Sequence, residues 1–73
     1  MSVQFVKKDS YVVCINSANF FHPNFELVEG KTYLVYDVVV RASLFGRGEM
    51  KLVFQANDGT LVELNSKRFK RVD

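Results

Sequence analysis

The amino-acid sequence predicts a small all-β domain, and three observations support that prediction. Side chains that favour extended backbone (Val, Ile, Thr, Tyr and Phe) account for 25 of the 73 residues, whereas only three Ala and six Leu are present. Several short runs combine β-branched and aromatic residues, and two of them alternate between apolar and polar positions. An Asp-Gly turn separates those two runs. The length suits one compact core, so residues 1–73 are interpreted as a single domain.

The first half of the chain predicts two strands joined by a long loop. Residues 11–15, YVVCI, form the first predicted strand. Residues 16–25, NSANFFHPNF, are rich in Asn and contain the only Pro, which indicates a surface excursion held by aromatic anchors. Gly30 then closes a turn. Residues 32–41, TYLVYDVVVR, predict one long strand with a kink near Asp37, where a charge interrupts the alternation.

The second half predicts a loop, a hairpin and a closing strand. Residues 42–49, ASLFGRGE, contain two glycines and predict a flexible loop. Residues 50–56 and 60–65 flank the tight turn at residues 57–59, and both arms alternate with period two. Residues 66–73, SKRFKRVD, predict a short helical turn that runs into a final strand, which makes about five strands. On the first arm, Leu52, Phe54 and Ala56 share one face, whereas Lys51, Val53 and Gln55 share the other, so one face of the hairpin can be core and the other solvated.

Two of these stretches resemble Src-homology-three-like small barrels. Residues 25–35, FELVEGKTYLV, are similar to the diverging turn of that class. Residues 53–72, VFQANDGTLVELNSKRFKRV, are similar to its distal hairpin, its short helical turn and its closing strand. The resemblance implies a five-stranded barrel with a short helical turn before the last strand. It also implies that Leu64 and Phe69 are core residues on either side of that turn.

The chain departs from those barrels of this class that bind proline-rich peptides. Such barrels use a tryptophan beside the second loop, and a proline and a tyrosine in the helical turn, because flat aromatic faces receive a polyproline helix. This sequence has no Trp, and Asn65 and Arg68 stand where that proline and tyrosine would be. These departures therefore argue against the usual proline-peptide groove. Barrels of this outline are also common among ribosomal, transcription-associated and phage-encoded proteins.

The inventory of reactive side chains argues against an enzyme, a metal site or a cofactor site. His22 is the only histidine, without a second ligand at metal-binding spacing. Cys14 is the only cysteine, so it makes no internal disulfide, and its strand context predicts a small buried thiol in a reducing compartment. No signal-peptide pattern and no apolar run near the ~20 residues of a membrane span are present. We therefore expect a cytoplasmic protein with no catalytic residues, no cofactor and no membrane partner.

Charge is unevenly distributed along the chain. Residues 1–40 carry three basic and four acidic side chains, whereas residues 41–73 carry seven basic and four acidic ones, so the formal total of +2 divides into −1 and +3. A basic rim of this kind contacts phosphates or an acidic protein surface, although surface Lys and Arg also serve solubility alone. The candidate rim residues are Arg47, Lys67, Arg68, Lys70 and Arg71.

Loop aromatics give the leading functional hypothesis. Phe20 and Phe21, together with Leu44 and Phe45, are apolar residues in otherwise polar loops, which is typical of protein-contact hot spots. The sequence therefore predicts a non-enzymatic binding module, of a phage or bacterial type, that docks on and modulates a larger host protein. The alternative is a nucleic-acid-binding barrel that uses the basic carboxyl-terminal turn. A monomer is expected, and a homodimer through strand edges stays open.

Overall fold

The structure, a computed structural model, describes residues 6–42, 46 and 48–72. Within these residues, six short strands form two antiparallel sheets, and a 3₁₀ turn is the single helical element. The first sheet has the order β2-β1-β6 and consists of β1 (Tyr11–Cys14), β2 (Thr32–Leu34) and β6 (Phe69–Arg71). The second has the order β3-β4-β5 and consists of β3 (Asp37–Ala42), β4 (Gly48–Gln55) and β5 (Leu61–Asn65). The 3₁₀ turn is Ser66–Arg68. The predicted all-β class is confirmed.

The strand count differs from the prediction because the long strand expected over residues 32–41 is two strands in different sheets. The break falls at Val35 and Tyr36, just before the expected kink. The Val35 N–H donates to the carbonyl of Ser10 at 2.8 Å, which continues the first sheet. The Tyr36 N–H donates to the carbonyl of Val53 in β4 at 2.8 Å. The chain thus changes sheets within two residues, and the described ladders are those of two open sheets, not of a closed five-stranded barrel.

The predicted hairpin is present, and its first strand begins two residues earlier than the sequence indicated. Gly59 has a φ of +89°, which an L side chain rarely adopts, and its N–H donates to the carbonyl of Ala56 at 3.0 Å. The N–H of Ala56 in turn donates to the carbonyl of Thr60 at 2.8 Å. At the other end, β3 continues to Ala42 and β4 begins at Gly48. Residues 42, 48 and 49 of the flexible loop predicted over residues 42–49 therefore lie in strands.

The core combines side chains from both sheets. The apolar face of the first hairpin arm is buried, as are Cys14, Leu64 and Phe69. Val53, on the opposite face of β4, is also only 5% exposed, because it lies on the central strand between Asp37 and Glu63 and is flanked on both sides. The buried core cluster consists of Val12, Cys14, Tyr33, Val35, Leu52, Phe54, Ala56, Val62, Leu64 and Phe69.

Candidate protein-binding loop

The loop of residues 15–31 joins β1 to β2, and its two ends are tied together by backbone hydrogen bonds. The N–H of Cys14 donates to the carbonyl of Lys31 at 3.0 Å, and the N–H of Gly30 donates to the carbonyl of Cys14 at 2.8 Å. Gly30 has a φ of +87°, so the turn before β2 requires a residue without a Cβ. The base of the loop is therefore held to the first sheet by backbone hydrogen bonds.

The middle of the loop is fastened to the β4–β5 turn. The backbone carbonyl of Asn24 accepts the N–H of Asn57 at 2.9 Å, and the side-chain amide of Asn24 donates to the Asp58 carboxylate at 3.0 Å. The pKa of Asp58 lies below its usual range because the hydroxyl and the N–H of Thr60 donate to the charged carboxylate. The N–H of Asn24 also donates to Nδ1 of His22 at 3.1 Å. These polar contacts hold residues 22–24 in one position against the hairpin.

Three phenylalanines of this loop have different roles. The Phe25 ring lies 5.5 Å from the ring of Tyr33 and 5.6 Å from that of Phe54, so it anchors the loop to the core. Phe20 is half-buried and meets Phe25 edge-on, with centroids 6.2 Å apart. Phe21 is 87% exposed. The sequence predicted Phe20 and Phe21 as contact residues, and the structure presents only Phe21 fully to solvent.

A surface pocket of about 300 Å³ lies beside Phe21. It is lined by residues 20–27 and by Asn57 from the hairpin turn. The walls combine phenylalanine rings with the polar groups of His22 and Glu26. A recess that combines apolar rings with a similar share of polar groups can receive an apolar side chain and hydrogen-bond to the backbone beside it.

Arg68 has a structural contact that the sequence did not reveal. Its guanidinium donates to the carbonyls of Asn16 at 3.2 Å and Ala18 at 2.9 Å, while its own carbonyl accepts the N–H of Ile15 at 2.7 Å. The residue therefore joins the 3₁₀ turn to the start of the loop. Asn65 caps that turn by accepting the N–H of Lys67 at 2.8 Å. Arg68 thus supports the loop in addition to any role at the predicted basic rim.

Two of the remaining predicted basic residues, Lys70 and Arg71, do not share one face of their strand. Lys67 is exposed on the 3₁₀ turn. In β6, Lys70 pairs with Val13 and Arg71 pairs with Val12, so consecutive side chains leave the strand on opposite sides. Three further predicted contact residues, Leu44, Phe45 and Arg47, lie outside the described residues.

An apolar row that the sequence did not single out crosses the outer face of the first sheet. Tyr11 of β1 pairs with Leu34 of β2, and the N–H of Val72 donates to the carbonyl of Tyr11 at 3.3 Å. All three side chains are about half exposed. The sequence YVVC is apolar at all four positions, so it does not show which of its side chains face the core.

Comparisons with known proteins give no match from which a function could be assigned to this loop. No protein-family model, no curated protein and no solved structure matches the chain. In the described part of the chain, no group of three or more His, Cys, Asp or Glu side chains is arranged to hold a metal ion. No helix among those residues has the length and apolarity to cross a membrane. The geometry of the loop is therefore the main evidence for its function.

Proposed function

We propose that this chain is a non-enzymatic binding module that docks on a larger protein through the loop of residues 15–31, with Phe21 as the apolar anchor. The observation that carries the proposal is an 87% exposed phenylalanine ring on a loop that is hydrogen-bonded at its base and in its middle, at Asn24. An exposed Phe by itself is ordinary, whereas a fixed loop that presents one beside a pocket has the form of a hot spot.

Pre-ordering of the loop favours binding. Burying a Phe ring against a partner contributes about 2–3 kcal/mol, and ordering a mobile loop removes much of that gain. Here the polar contacts of Asn24 and the packing of Phe25 hold the backbone that follows Phe21, and Phe20, which precedes it, packs edge-on against Phe25. Most of the free energy of burying the Phe21 ring is therefore retained in the complex.

The pocket beside Phe21 supplies the complementary half of the contact. Phe21 enters a recess of the partner, and an apolar side chain of the partner enters the pocket of about 300 Å³. Two acidic groups lie in this region, since Glu26 lines the pocket and the Asp58 carboxylate bonds to Asn24. The partner surface that fits is therefore apolar with basic or neutral flanks.

We also propose that the two sheets belong to the Src-homology-three-like class. The proposal is supported by the central place of β1 in the first sheet, the bend between β2 and β3, the tight β4–β5 turn and the 3₁₀ turn before β6. Because barrels of this outline are common among phage-encoded proteins, we propose that the partner lies in a bacterial cytoplasm.

A photocrosslinking experiment tests the docking surface. A photoreactive phenylalanine analogue replaces Phe21 in one version of the chain, and it replaces the half-exposed Leu61 of β5 or Leu34 of β2 in matched versions. In bacterial cells, we expect one discrete crosslinked protein from position 21 and none of the same mass from position 61. The same product from all three positions, or none from position 21, contradicts the proposal.

Once that crosslinked protein is purified, its affinity gives a quantitative test. Phe21→Ala is expected to weaken binding by at least about tenfold, as for the loss of a hot-spot side chain. Val28→Ala serves as the control, because Val28 is an exposed apolar residue of the same loop that does not line the pocket. Equal losses from the two variants would contradict a specific role for Phe21.

Nucleic-acid binding through the carboxyl-terminal turn stays a prediction. Lys70 and Arg71 leave β6 on opposite sides, and the Arg68 guanidinium is bonded to loop carbonyls. That arrangement does not favour a continuous track of phosphate contacts. We therefore do not advance it as a second proposed function.

A further inference from the structure

Strand β3 lies at the edge of the second sheet, and its sequence is that of a pairing strand. It is hydrogen-bonded to β4, and among the described residues no strand pairs with its other side. Its six residues are DVVVRA, and Val40 is 69% exposed. A long, apolar edge strand with unpaired backbone groups is a template for another strand.

The neighbouring hairpin fixes which backbone groups of β3 point outward. The N–H of Ala56 donates to the carbonyl of Thr60, so Ala56 belongs to a hydrogen-bonded pair of the β4–β5 ladder. Hydrogen-bonded pairs alternate along an antiparallel ladder, so the even-numbered residues of β4 bond to β5 and the odd-numbered ones bond to β3. The β3 partners of those odd-numbered residues are Asp37, Val39 and Arg41. By the same alternation, Val38 and Val40 direct their N–H and C=O groups away from the sheet.

A side-chain contact at the start of β3 agrees with this assignment independently. The N–H of Val38 donates to Oδ1 of Asp37, the preceding residue, at 2.8 Å. A donor engaged in the ladder would face β4 instead. The Asp37 carboxylate thus occupies an outward N–H of the edge, which is one way in which proteins limit unwanted pairing.

We infer that the partner of this edge is a second copy of the chain, paired antiparallel through β3 with Val39 on the two-fold axis. In this register the outward groups of Val38 hydrogen-bond with those of Val40 of the second copy, and the reverse pair forms by symmetry. Asp37 then stands directly opposite Arg41 of the second copy, twice in each dimer. Val38 and Val40, one half-buried and one exposed, cover each other across the axis.

Charge selects this register over its neighbours. An axis at Arg41 places two guanidinium groups opposite each other, and an axis at Asp37 does the same with two carboxylates. An axis at Val38 or Val40 leaves Asp37 and Arg41 without each other as cross-strand partners. Only the axis at Val39 pairs both charges, since these two residues are equally distant from it in the sequence.

Arg41 has the donors that this arrangement requires. Its Nε and Nη2 donate to the Glu63 carboxylate at 3.2 and 2.6 Å within the same copy. A guanidinium has five N–H donors, so the remaining ones can reach Asp37 of the second copy. Pairing also releases the Asp37 carboxylate, because the Val38 N–H then donates to a backbone carbonyl. The dimer joins two sheets into one and leaves the docking loop separate, so it is independent of the proposed function.

A charge-exchange experiment tests the dimer. Sedimentation of the full chain over a range of concentrations should show a monomer–dimer equilibrium. Asp37→Arg and Arg41→Asp each place like charges opposite one another, and each is expected to raise the dimer dissociation constant by about tenfold or more. An equimolar mixture of the two variants restores opposite charges at every pair, so it is expected to form a heterodimer with nearly the native dissociation constant.

Amide hydrogen exchange supplies a second measurement that does not depend on charge variants. The Val40 amide faces the edge and should exchange more slowly as the protein concentration rises, whereas the Val39 amide, bonded within the monomer, should not change. Val40→Pro removes only an outward N–H, so it should abolish the dimer and keep the fold. A monomer at all concentrations overturns the inference, as does a dimer that neither Val40→Pro nor the single charge variants weaken.

Discussion

The loop of residues 15–31 and strand β3 both expose apolar side chains, but their backbones differ. The loop presents Phe21, while backbone groups at its base are bonded to β1 and one in its middle is bonded to the hairpin turn. Strand β3 presents Val40, and half of its backbone groups face outward by the alternation of the ladder. The loop thus offers a side chain to a recess, and the strand offers a backbone to another strand. An exposed apolar residue therefore indicates a partner's chemistry only together with the hydrogen bonding of its own backbone.

The largest expected effect comes from removing the ring that fixes the loop. Phe25→Ala deletes the contacts with Tyr33 and Phe54 and with Phe20. Because Phe25 is half-buried, we expect the free energy of unfolding to fall by about 2–3 kcal/mol, measured by urea denaturation. Partner binding should be lost as well, since Phe21 is then no longer held.

Phe21→Ala is the matched control for that variant. The Phe21 side chain is exposed, so the free energy of unfolding should change by less than about 0.5 kcal/mol, while binding is lost to a similar degree. Equal destabilisation by the two variants would show that the loop does not divide into an anchor and a presented residue.

This division among the phenylalanines marks a limit of sequence reasoning. The hairpin was predictable because Asp58 and Gly59 encode its turn locally and the arms alternate on either side. The sequence also predicted that some loop aromatics pack and others are exposed. Which ring packs depends on the bonds that Asn24 makes with a turn more than thirty residues away in the chain. Those bonds have no local signature.

The next effect concerns the other end of the loop. Arg68→Ala removes the donor to the carbonyls of Asn16 and Ala18. We expect a loss of about 1 kcal/mol in the free energy of unfolding, since Arg68 is half-buried as a residue and its bonds are charge-assisted. Hydrogen exchange at the amides near residue 16 should become faster. Lys67→Ala, one residue away and exposed, is the control and should leave both measurements unchanged.

Arg68 also shows why the basic rim was only partly predictable. Charge counts along the chain correctly place the excess of positive charge in the second half. They cannot show that one guanidinium bonds to carbonyls some fifty residues earlier, or that Lys70 and Arg71 leave β6 on opposite sides. Strand alternation predicts that opposition once the boundaries of β6 are known, and the sequence left those boundaries open.

Acid should reduce the stability of both the loop and strand β3, by less than the substitutions above. The pKa of Asp58 is lowered by hydrogen bonds from Thr60, and the pKa of Glu63 is lowered by the hydrogen bond and the charge of Arg41. A folded-state pKa below the unfolded one stabilises the fold above the unfolded pKa, and this contribution is lost as the pH falls through the folded value. We therefore expect stability to decline below about pH 5.

Single variants separate the two contributions to that decline. Asp58→Asn should reduce the acid sensitivity of hydrogen exchange at Asn57, where the loop is fastened, and Glu63→Gln should reduce it in β3. High salt should weaken only the part that depends on Arg41 and Glu63, because these are exposed opposite charges, whereas the main hydrogen bonds to Asp58 come from the uncharged Thr60. A decline in stability that neither variant alters would mean that other carboxyl groups control it.

The smallest effect is expected at the lysines of the predicted basic rim. Lys67 lies on the 3₁₀ turn and Lys70 lies on the outer face of the first sheet beside Val13, so replacing both by Ala should change the free energy of unfolding by less than about 0.5 kcal/mol. Mobility shifts with single-stranded DNA at low salt, followed over increasing salt, decide what they do. If the chain binds and the double variant reduces the salt dependence by about two phosphate contacts, the lysines follow one strand of nucleic acid and the alternative function is favoured over docking on a protein. We expect no such binding, because a nucleic-acid strand that contacts Lys70 on one side of β6 does not reach Arg71 on the other.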